Sequence, residues 1–394
     1  MSLTRTLIFT LPLPDMTGAA RMALAFARGF VNQGYSVRLL HGSVRVGHER
    51  ILQDFRSVGA DLCYNPSFGR ALHLSVFRWI YEELKRTKPV AVVSTFVTTD
   101  TKYVGPACRI LGIPHIASVQ NDIVLSGNAL TQRLKTLIFQ AIYRSSVDLA
   151  VCTSERIRAT LLHNYGLPAQ RLAVLPNAID VSHFEKPQTA SRQRIRREFG
   201  LREDQKLLVS VGRLHPQKGH DVLVEALNKL PLDVQSQIVL LLVGDVDFSN
   251  QESVAMGKRL KQQVSDSGLD AVVRFVGLRD DVRELLSACD LYAHSARWEG
   301  FPLAVLEAMA SALPVVINDC AGDLSGFVNG THGYCVTAEQ PSELAEALEM
   351  MLAHAPSQRS RMGQNCRRLV QQNYDIAVIG KQFIQLLERT ANRP

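Results

Sequence analysis

Two glutamates at the start of a predicted helix, Glu299 and Glu307, stand where they could bind a sugar. Pro302 fits the first turn of this helix, where its missing N–H costs nothing. The amides of Leu303 and Ala304 then have no partner inside the helix and, together with the helix dipole, favour an anion. Glu307 follows Leu303 by one turn on the same face. An anion site between two acceptors for hydroxyl groups matches a nucleotide sugar.

A second segment supplies positive charge. Residues 206–212 read as a short buried strand ending at glycine, and an amphipathic helix starts at His220. Arg213 and Lys218 therefore lie on a strand-to-helix loop at the carboxyl edge of a sheet, where open α/β folds bind ligands. Two such cations could neutralise a diphosphate leaving group without a metal. Taken alone they could equally be solvated loop charges, but the nearby glutamates favour the ligand site.

These segments resemble the motifs of a known family. Residues 212–219, followed by 299–310, are similar to the phosphate and glutamate motifs of glycosyltransferase family 4. Residues 174–180, 288–295 and 313–317 resemble further family motifs in the same order. The resemblance covers nearly the whole chain. It implies an α/β protein with two Rossmann-like domains facing across a cleft, the GT-B fold, and a retaining enzyme that uses a nucleotide sugar.

The resemblance also implies a role for each matching residue. Arg213 and Lys218 would hold the donor diphosphate and stabilise charge as the glycosidic bond breaks. Glu299 would orient the hydroxyls of the transferred sugar, and Glu307 would accept hydrogen bonds from the ribose. Gly18, at the first strand-to-helix turn, would bring its amide to the diphosphate. Three further residues are expected to contact the donor: Phe301, Pro302 and Leu303.

The implied mechanism needs no protein nucleophile, metal or other cofactor. Reaction on the front face, through an oxocarbenium-like state, would let the leaving phosphate oxygen take the acceptor's proton. This differs from a glycosidase, in which two carboxyl groups flank the bond. A UDP-sugar is the first expectation for the donor and a GDP-sugar the second, with the base read around residues 275–279. The acceptor is expected to be a saccharide, a lipid-linked sugar or another glycoconjugate.

Several positions depart from the family pattern. Thr17 replaces the first glycine of a common pair, Gln120 or Asn121 stands where many members have a histidine, and Ser325 stands where many have a glutamate. A non-catalytic paralogue that binds nucleotide sugars is therefore the alternative, and the retained charged residues favour the enzyme. A dehydrogenase is excluded because no strand is followed by Gly-x-Gly-x-x-Gly with a downstream acid.

The chain alternates predicted strands and helices, which indicates parallel βαβ units. Its 394 residues suit two domains. We predict an N-terminal acceptor domain over residues 1–185, joined by a returning helix at 375–394. The donor domain would cover 186–374, with a polar linker around residues 180–197.

Composition indicates a cytoplasmic protein. The apolar fraction is 46%, and no apolar run reaches the roughly eighteen residues that span a bilayer. The N-terminus shows no long apolar signal-peptide core. Seven scattered cysteines argue for a reducing compartment and against a zinc site. His215, His220 and His294 lack metal-ligand spacing, which favours surface or loop roles, and Trp298 could shape the donor pocket or pack inside.

The positive charge is concentrated in the first half. Residues 1–190 hold 21 Lys or Arg and 12 Asp or Glu, a balance of +9, whereas residues 191–394 hold 23 and 25, a balance of −2. A phosphorylated acceptor or an anionic membrane face would suit this charge. Nucleic acid is the least expected partner, because no recognised binding motif accompanies the charge. Arg133 and Lys135 lie on an amphipathic helix that could contact the inner membrane face, although such apolar stripes usually face the core.

Overall fold

The computed structural model of the protein describes residues 5–15, 18–44, 48–69, 73–96, 99–121, 123, 129–184, 189–328 and 330–391. Its contacts divide the chain into two compact units. The N-terminal unit comprises Met1–Ala178 and Ile376–Pro394, and the C-terminal unit comprises Ile179–Asp375. Among the described helices, none is both long and apolar enough to cross a membrane.

The division falls after Ala178 because the next residues are bonded into the C-terminal unit. The amide of Ile179 donates to the carbonyl of Tyr374 at 3.0 Å, and Ile179 also forms a parallel bridge with Asp375. The predicted boundary between residues 185 and 186 lies outside the described residues. The second boundary was predicted before Asp375, and the contacts place it after this residue.

The N-terminal unit is built on one parallel sheet of seven strands. In chain order the strands are β1 (Thr6–Leu11), β2 (Ser36–His41), β3 (Asp61–Tyr64), β4 (Ala91–Ser94), β5 (His115–Val119), β6 (Leu149–Cys152) and β7 (Leu172–Val174). Their order in the sheet is β3-β2-β1-β4-β5-β6-β7. The central strands are almost entirely buried, as expected for a parallel sheet covered on both faces.

Helices cover this sheet. They are α1 (Gly18–Asn32), α2 (Arg50–Ser57), α3 (Leu74–Thr87), α4 (Thr101–Leu111), α5 (Ala129–Ser146), α6 (Glu155–His163) and, from the end of the chain, α15 (Ile376–Ala391). Ser154 caps the start of α6, since its hydroxyl accepts from the amide of Ile157. Helix α15 packs on α1, where the ring of Phe383 lies 4.6 Å from that of Phe26 and 5.4 Å from that of Phe30. These aromatic contacts hold the returning helix on the N-terminal unit.

The C-terminal unit repeats the same plan with six parallel strands. The strands are β8 (Lys206–Val211), β9 (Ile238–Val243), β10 (Val273–Gly277), β11 (Leu291–Ala293), β12 (Val315–Asn318) and β13 (Gly333–Val336), in the sheet order β10-β9-β8-β11-β12-β13. The helices are α7 (Thr189–Glu198), α8 (His220–Lys229), α9 (Leu232–Ser236), α10 (Gln251–Asp266), α11 (Val282–Ala288), α12 (Leu303–Ala310), α13 (Pro341–Ala353) and α14 (Pro356–Asn373). The two Rossmann-like units confirm the predicted α/β class.

Each sheet has one place where its strand order reverses. In the N-terminal unit this topological switch point lies between β1 and β4, and in the C-terminal unit between β8 and β11. The loops that follow the two strands run in opposite directions there, so they leave a crevice at the carboxyl edge of the sheet. Of the segments that the sequence analysis singles out, residues 212–219 follow β8, and residues 299–302 belong to the loop between β11 and α12.

Candidate donor site

Lys218 and Glu299 meet at the β8/β11 switch point. Lys218 ends a single 3₁₀ turn, Pro216–Lys218, that follows β8, and its ammonium pairs with a carboxylate oxygen of Glu299 in the loop after β11. The Glu299 side chain is 8% exposed and that of Lys218 is 21% exposed. The loops after two neighbouring strands thus form a largely buried ion pair.

The Glu299 carboxylate is held in its ionised form. Burial by itself raises the pKa of Glu299, because desolvation disfavours the charged state. The charge of the Lys218 ammonium, with a smaller contribution from the neighbouring His294, outweighs this effect and lowers the pKa to about 2. His294 Nε2 lies 3.7 Å from the carboxylate. Glu299 therefore remains a hydrogen-bond acceptor throughout the neutral range.

Arg297 fixes the two loops relative to one another. Its guanidinium donates to both carboxylate oxygens of Asp221, at 2.9 and 2.8 Å, and to the carbonyl of Pro216 at 2.8 Å. Its backbone amide donates to the carbonyl of Gln217 at 2.8 Å. A bidentate guanidinium–carboxylate pair sets orientation as well as distance. Arg297 and Asp221 thereby hold the 3₁₀ turn that presents Lys218 beside the loop that presents Glu299.

Gly219 permits the close approach of these loops. Its φ is +60°, and a Cβ atom built there would lie 2.0 Å from the carbonyl oxygen of Ser295. The Ser295 hydroxyl in turn donates to the carbonyl of Lys218 at 3.2 Å. A side chain at position 219 would force the loops apart and with them the ion pair.

Helix α12 starts one residue later than predicted. It begins at Leu303, and Pro302 stands before it at the N-cap with extended backbone angles. The reason is that the Pro302 carbonyl already accepts from the amides of Val305 and Leu306, at 3.2 and 3.3 Å. Within the described residues, no hydrogen bond is made by the amides of Leu303 and Ala304. The start of α12 thus keeps the anion-binding property that the sequence predicts.

Both predicted glutamates are buried near the same phenol. Glu307 is 3% exposed and lies in the second turn of α12. Burial raises the pKa of Tyr292 on β11, and the charges of Glu299 and Glu307 raise it further. The two carboxylates therefore act on one small region at the carboxyl edge of the sheet.

The remaining predicted donor contacts have different surroundings. Arg213 follows β8 with an exposed side chain, and within the described part of the chain its guanidinium forms no ion pair. Phe301 is 4% exposed, and its ring lies 5.4 Å from that of Tyr374, while Leu303 is 9% exposed. Gly18 is the exposed first residue of α1 in the N-terminal unit. Of this group, Arg213 and Gly18 are accessible, and Phe301 and Leu303 pack in the interior.

Two histidines differ from the prediction. Surface or loop roles were predicted for His220 and His294, but they are 2% and 5% exposed. His220 follows Gly219 at the start of α8, and burial lowers its pKa to about 3. His294 follows β11, beside Glu299. The prediction was wrong for His220, which lies in a helix, whereas His294 does lie in a loop but is buried there, which polarity alone cannot show. His215 does lie in the loop, where its Nδ1 accepts from the amide of Gln217 at 3.1 Å.

The positions that depart from the family pattern are polar in the structure. Gln120 follows β5 and donates to the Ser118 hydroxyl at 2.8 Å, while its buried Oε1 has no partner in the described part of the chain. Asn121 is exposed. Ser325 donates to the carbonyl of Gly322 at 2.8 Å. Thr17 lies outside the described residues.

Trp298 is 46% exposed, which argues against a fully buried packing role, and its carbonyl accepts from the Gln217 side chain at 3.0 Å. Among the described residues, no three His, Cys, Asp or Glu side chains are grouped as a metal site would require.

Family models match both halves of the chain. The model described as Glycosyltransferase Family 4 matches residues 16–183, and that described as Glycosyl transferases group 1 matches residues 191–369. The chain belongs to glycosyltransferase family 4. The second match contains the whole β8/β11 switch point.

The relatives found by sequence comparison are less than 30% identical to this chain. The chain is 28% identical over 257 residues to mannosylfructose-phosphate synthase of Agrobacterium fabrum, which covers 64% of this chain and 55% of that protein. It is 24% identical over 269 residues to the putative glycosyltransferase EpsF of Bacillus subtilis, which covers 68% of this chain and 67% of that protein. Several D-inositol 3-phosphate glycosyltransferases match at similar identity, and the chain spans about half the length of most of these relatives.

Solved structures show the same fold. HepE of Anabaena, in complex with UDP, superposes with a TM-score of 0.81 at 20% identity, covering 98% of this chain and 100% of that chain. A glycosyltransferase from Rickettsia africae has a TM-score of 0.82 at 16% identity, covering 99% and 100%. WaaG, involved in lipopolysaccharide biosynthesis, has a TM-score of 0.72 at 21% identity, covering 97% and 99%. These neighbours confirm the GT-B class.

Proposed function

We propose that this glycosyltransferase moves a sugar, with retention of its anomeric configuration, from a nucleoside-diphosphate sugar to a saccharide, lipid-linked or other glycoconjugate acceptor. The observation that carries the proposal is the buried pair of Lys218 and Glu299 at the β8/β11 switch point. Open α/β sheets bind ligands at such points. The pair offers a cation for phosphate and a permanently ionised acceptor for sugar hydroxyls.

The diphosphate would bind to Arg213, Lys218 and the start of α12. Arg213 is exposed and Lys218 partly buried, so a ligand can reach both cations from solvent. The amides of Leu303 and Ala304 add dipoles that favour negative charge. As the glycosidic bond breaks, charge accumulates on the leaving phosphate. Fixed donors in a partly buried place stabilise that charge more than water does.

The low pKa of Glu299 supports an orienting role. A carboxylate with a pKa of about 2 is a weak base, and its pairing with Lys218 weakens it further as a nucleophile. It can still accept hydrogen bonds from sugar hydroxyls. The proton released by the acceptor would then pass to the leaving phosphate oxygen. Neither a metal nor another cofactor enters this scheme, and Glu307, buried in α12, would bind the ribose hydroxyls.

A UDP-sugar is the donor to test first and a GDP-sugar the second. HepE, which shares the fold, has been crystallised with UDP and with UDP-glucose. The acceptor is proposed to lie against the N-terminal unit, and Gly18, exposed at the start of α1, would approach the donor diphosphate. The excess positive charge of residues 1–190 suits work in the cytoplasm at the inner face of a membrane, where lipid-linked acceptors are presented.

A non-catalytic paralogue that binds nucleotide sugars remains the second candidate. Gln120 motivates it, since this residue stands where many family members have histidine. The unpartnered Oε1 of Gln120 can nevertheless accept a hydrogen bond from a sugar hydroxyl. The intact Lys218–Glu299 pair favours the enzyme.

The test is a transfer assay with UDP-, GDP- and ADP-sugars against pooled saccharide and lipid-linked acceptors. Release of nucleoside diphosphate and the anomeric signals of the product are both recorded, with and without chelator. We expect the enzyme to use one donor class and to form a linkage with the same anomeric configuration as the donor. Chelator should not change the rate of transfer. Glu299→Gln should bind the donor and lose transfer. Donor binding by wild type without transfer to any acceptor would favour the paralogue, and an inverted linkage would refute retention.

A further inference from the structure

Helix α5 presents apolar side chains on both of its faces. Phe139 and Tyr143 point into the core, where they are 8% and 0% exposed, and their rings stack 4.2 Å apart. The predicted amphipathic helix therefore does pack against the N-terminal unit. These two aromatic residues supply the inner stripe of α5, and several other apolar residues of the helix do not contribute to it.

Those other residues lie on the outer face. Leu134, Leu137 and Ile138 are 59%, 62% and 51% exposed, and Ala141 is exposed as well. Their spacing of i, i+3, i+4 and i+7 places them in one stripe of a helix. We call these four residues the α5 outer face. Large apolar side chains are usually exposed singly, whereas an exposed stripe marks an interaction surface.

The surroundings of this face are basic. Helices α4 and α5 carry five Lys or Arg and no Asp or Glu: Lys102, Arg109, Arg133, Lys135 and Arg144. The two helices are tied together, since Arg109 donates to the carbonyl of Ser145 at 2.6 Å. Arg144 donates to the carbonyl of Gly166 at 2.7 Å. Because both acceptors are neutral carbonyls, these hydrogen bonds do not cancel the positive charge of Arg109 and Arg144.

We infer that the α5 outer face docks onto an anionic lipid surface, with the helix lying in the plane of the interface. A helix with exposed leucines flanked by Arg and Lys binds such surfaces through its apolar area and its charge together. A second copy of this chain fits less well, because pairing the same faces would oppose like charges. At the membrane, the α5 outer face would bring the enzyme to a lipid-linked acceptor, and this role rests on the proposed function. Vesicle binding itself needs neither donor nor transfer.

The experiment measures binding of the full chain to sedimented vesicles of phosphatidylcholine, with and without phosphatidylglycerol. Wild type is compared with the triple variant Leu134→Ser, Leu137→Ser, Ile138→Ser and with the double variant Arg133→Gln, Lys135→Gln. The matched control is Leu74→Ser with Leu232→Ser, two leucines that are each 82% exposed elsewhere. Nucleotide binding and the sedimentation coefficient are recorded for every variant, so that folding, donor binding and self-association are followed separately.

We expect wild type and the control to bind anionic vesicles and to bind neutral ones weakly. The triple variant should lose at least about tenfold in partitioning, and the double variant about fivefold per cation at low salt. Wild type that ignores anionic vesicles, or a triple variant that binds as wild type does, would overturn the inference. A dimer that the triple variant converts to monomer, with vesicle binding unchanged, would assign the face to self-association instead. Failure of wild type to bind any nucleotide would contradict the proposed function and would not contradict lipid binding by the α5 outer face.

Discussion

Each unit carries a buried carboxyl group in a loop at its topological switch point, and the pKa values of the two groups are shifted in opposite directions. At the β8/β11 switch point, Glu299 pairs with Lys218 and has a pKa of about 2. At the β1/β4 switch point, Asp100 is 0% exposed and accepts from the Thr10 hydroxyl at 2.6 Å and from the amides of Thr95 and Phe96 at 3.1 and 3.2 Å. Burial raises its pKa to about 7, although these hydrogen bonds lower it in part.

The difference shows what a cation does for a buried carboxyl group. Burial disfavours the charged form of both groups, and among the described residues an ammonium offsets this effect at Glu299 and not at Asp100. Asp100 joins the loop after β4 to the end of β1 and acts as a structural group that is neutral over much of the acidic range. Glu299 is kept charged beside a loop that a ligand can reach. The same fold element thus serves as a structural clamp in one unit and as a candidate site in the other.

The largest expected effect comes from removing the cation. Lys218→Met should make Glu299 resemble Asp100, with a pKa that rises because burial is no longer offset. We expect transfer to fall by about a thousandfold and the free energy of unfolding to fall by about 3 kcal/mol at pH 7, since a charge remains buried without its partner. Activity assays and denaturant unfolding measure the two quantities.

The matched control for this prediction is the double variant Lys218→Met, Glu299→Gln. It should recover most of the stability and none of the transfer, because the buried charge is gone and the phosphate ligand is still missing. Stability unchanged in the single variant would show that the pair is too solvated to matter to the fold.

The next effect concerns the clamp in the N-terminal unit. Between pH 3.8 and about 7, folded Asp100 keeps a proton that the unfolded chain has lost, so stability falls as pH rises through this window. The fall should amount to at most about 4 kcal/mol. Asp100→Asn should abolish it and change transfer by less than about threefold at neutral pH. Urea unfolding from pH 4 to pH 8 checks the slope, and an identical slope in the variant would contradict the raised pKa.

A smaller effect tests whether the geometry of the charged pair matters as well as its presence. Arg297→Lys keeps the charge but cannot bond both oxygens of Asp221. We expect kcat/KM for transfer to fall by about 10- to 100-fold, with little change in stability. Asp221→Asn should act in the same direction. Wild-type kinetics in both variants would show that the loops hold their positions without this pair.

The sequence was sufficient to assign Lys218 and Glu299 to one site, but it showed neither that they pair with each other nor which residues support them. Lys218 and Glu299 each follow a buried strand, and loops after adjacent parallel strands meet at one edge, so their assignment to one site was predictable. Arg297, in the loop after β11, bonds to Asp221 in the first turn of α8, and that contact depends on a tertiary placement that spacing does not encode. Asp221 in the sequence reads as an ordinary acid in the first turn of a helix.

Burial explains the other differences. Asp100 belongs to a polar Thr-Thr-Asp segment, and nothing in its neighbours indicates that it is fully enclosed. Helix α5 has two apolar stripes, and periodicity alone cannot tell which of them faces inward. Phe139 and Tyr143 fill the core, so Leu134 and Leu137 are left outside. The strands and most helices were predictable because their apolar patterns are long and regular.

Diphosphate binding at the β8/β11 switch point is the property on which the proposed function depends most directly. Calorimetric titration of wild type and Lys218→Met with UDP and with uridine tests this, with GDP and guanosine as the second pair. We predict that wild type binds the diphosphate at least about 100-fold more tightly than the nucleoside, and that the variant loses most of this difference while still binding the nucleoside. An equal preference for the diphosphate in both proteins would contradict the account, because the phosphates would then lie elsewhere.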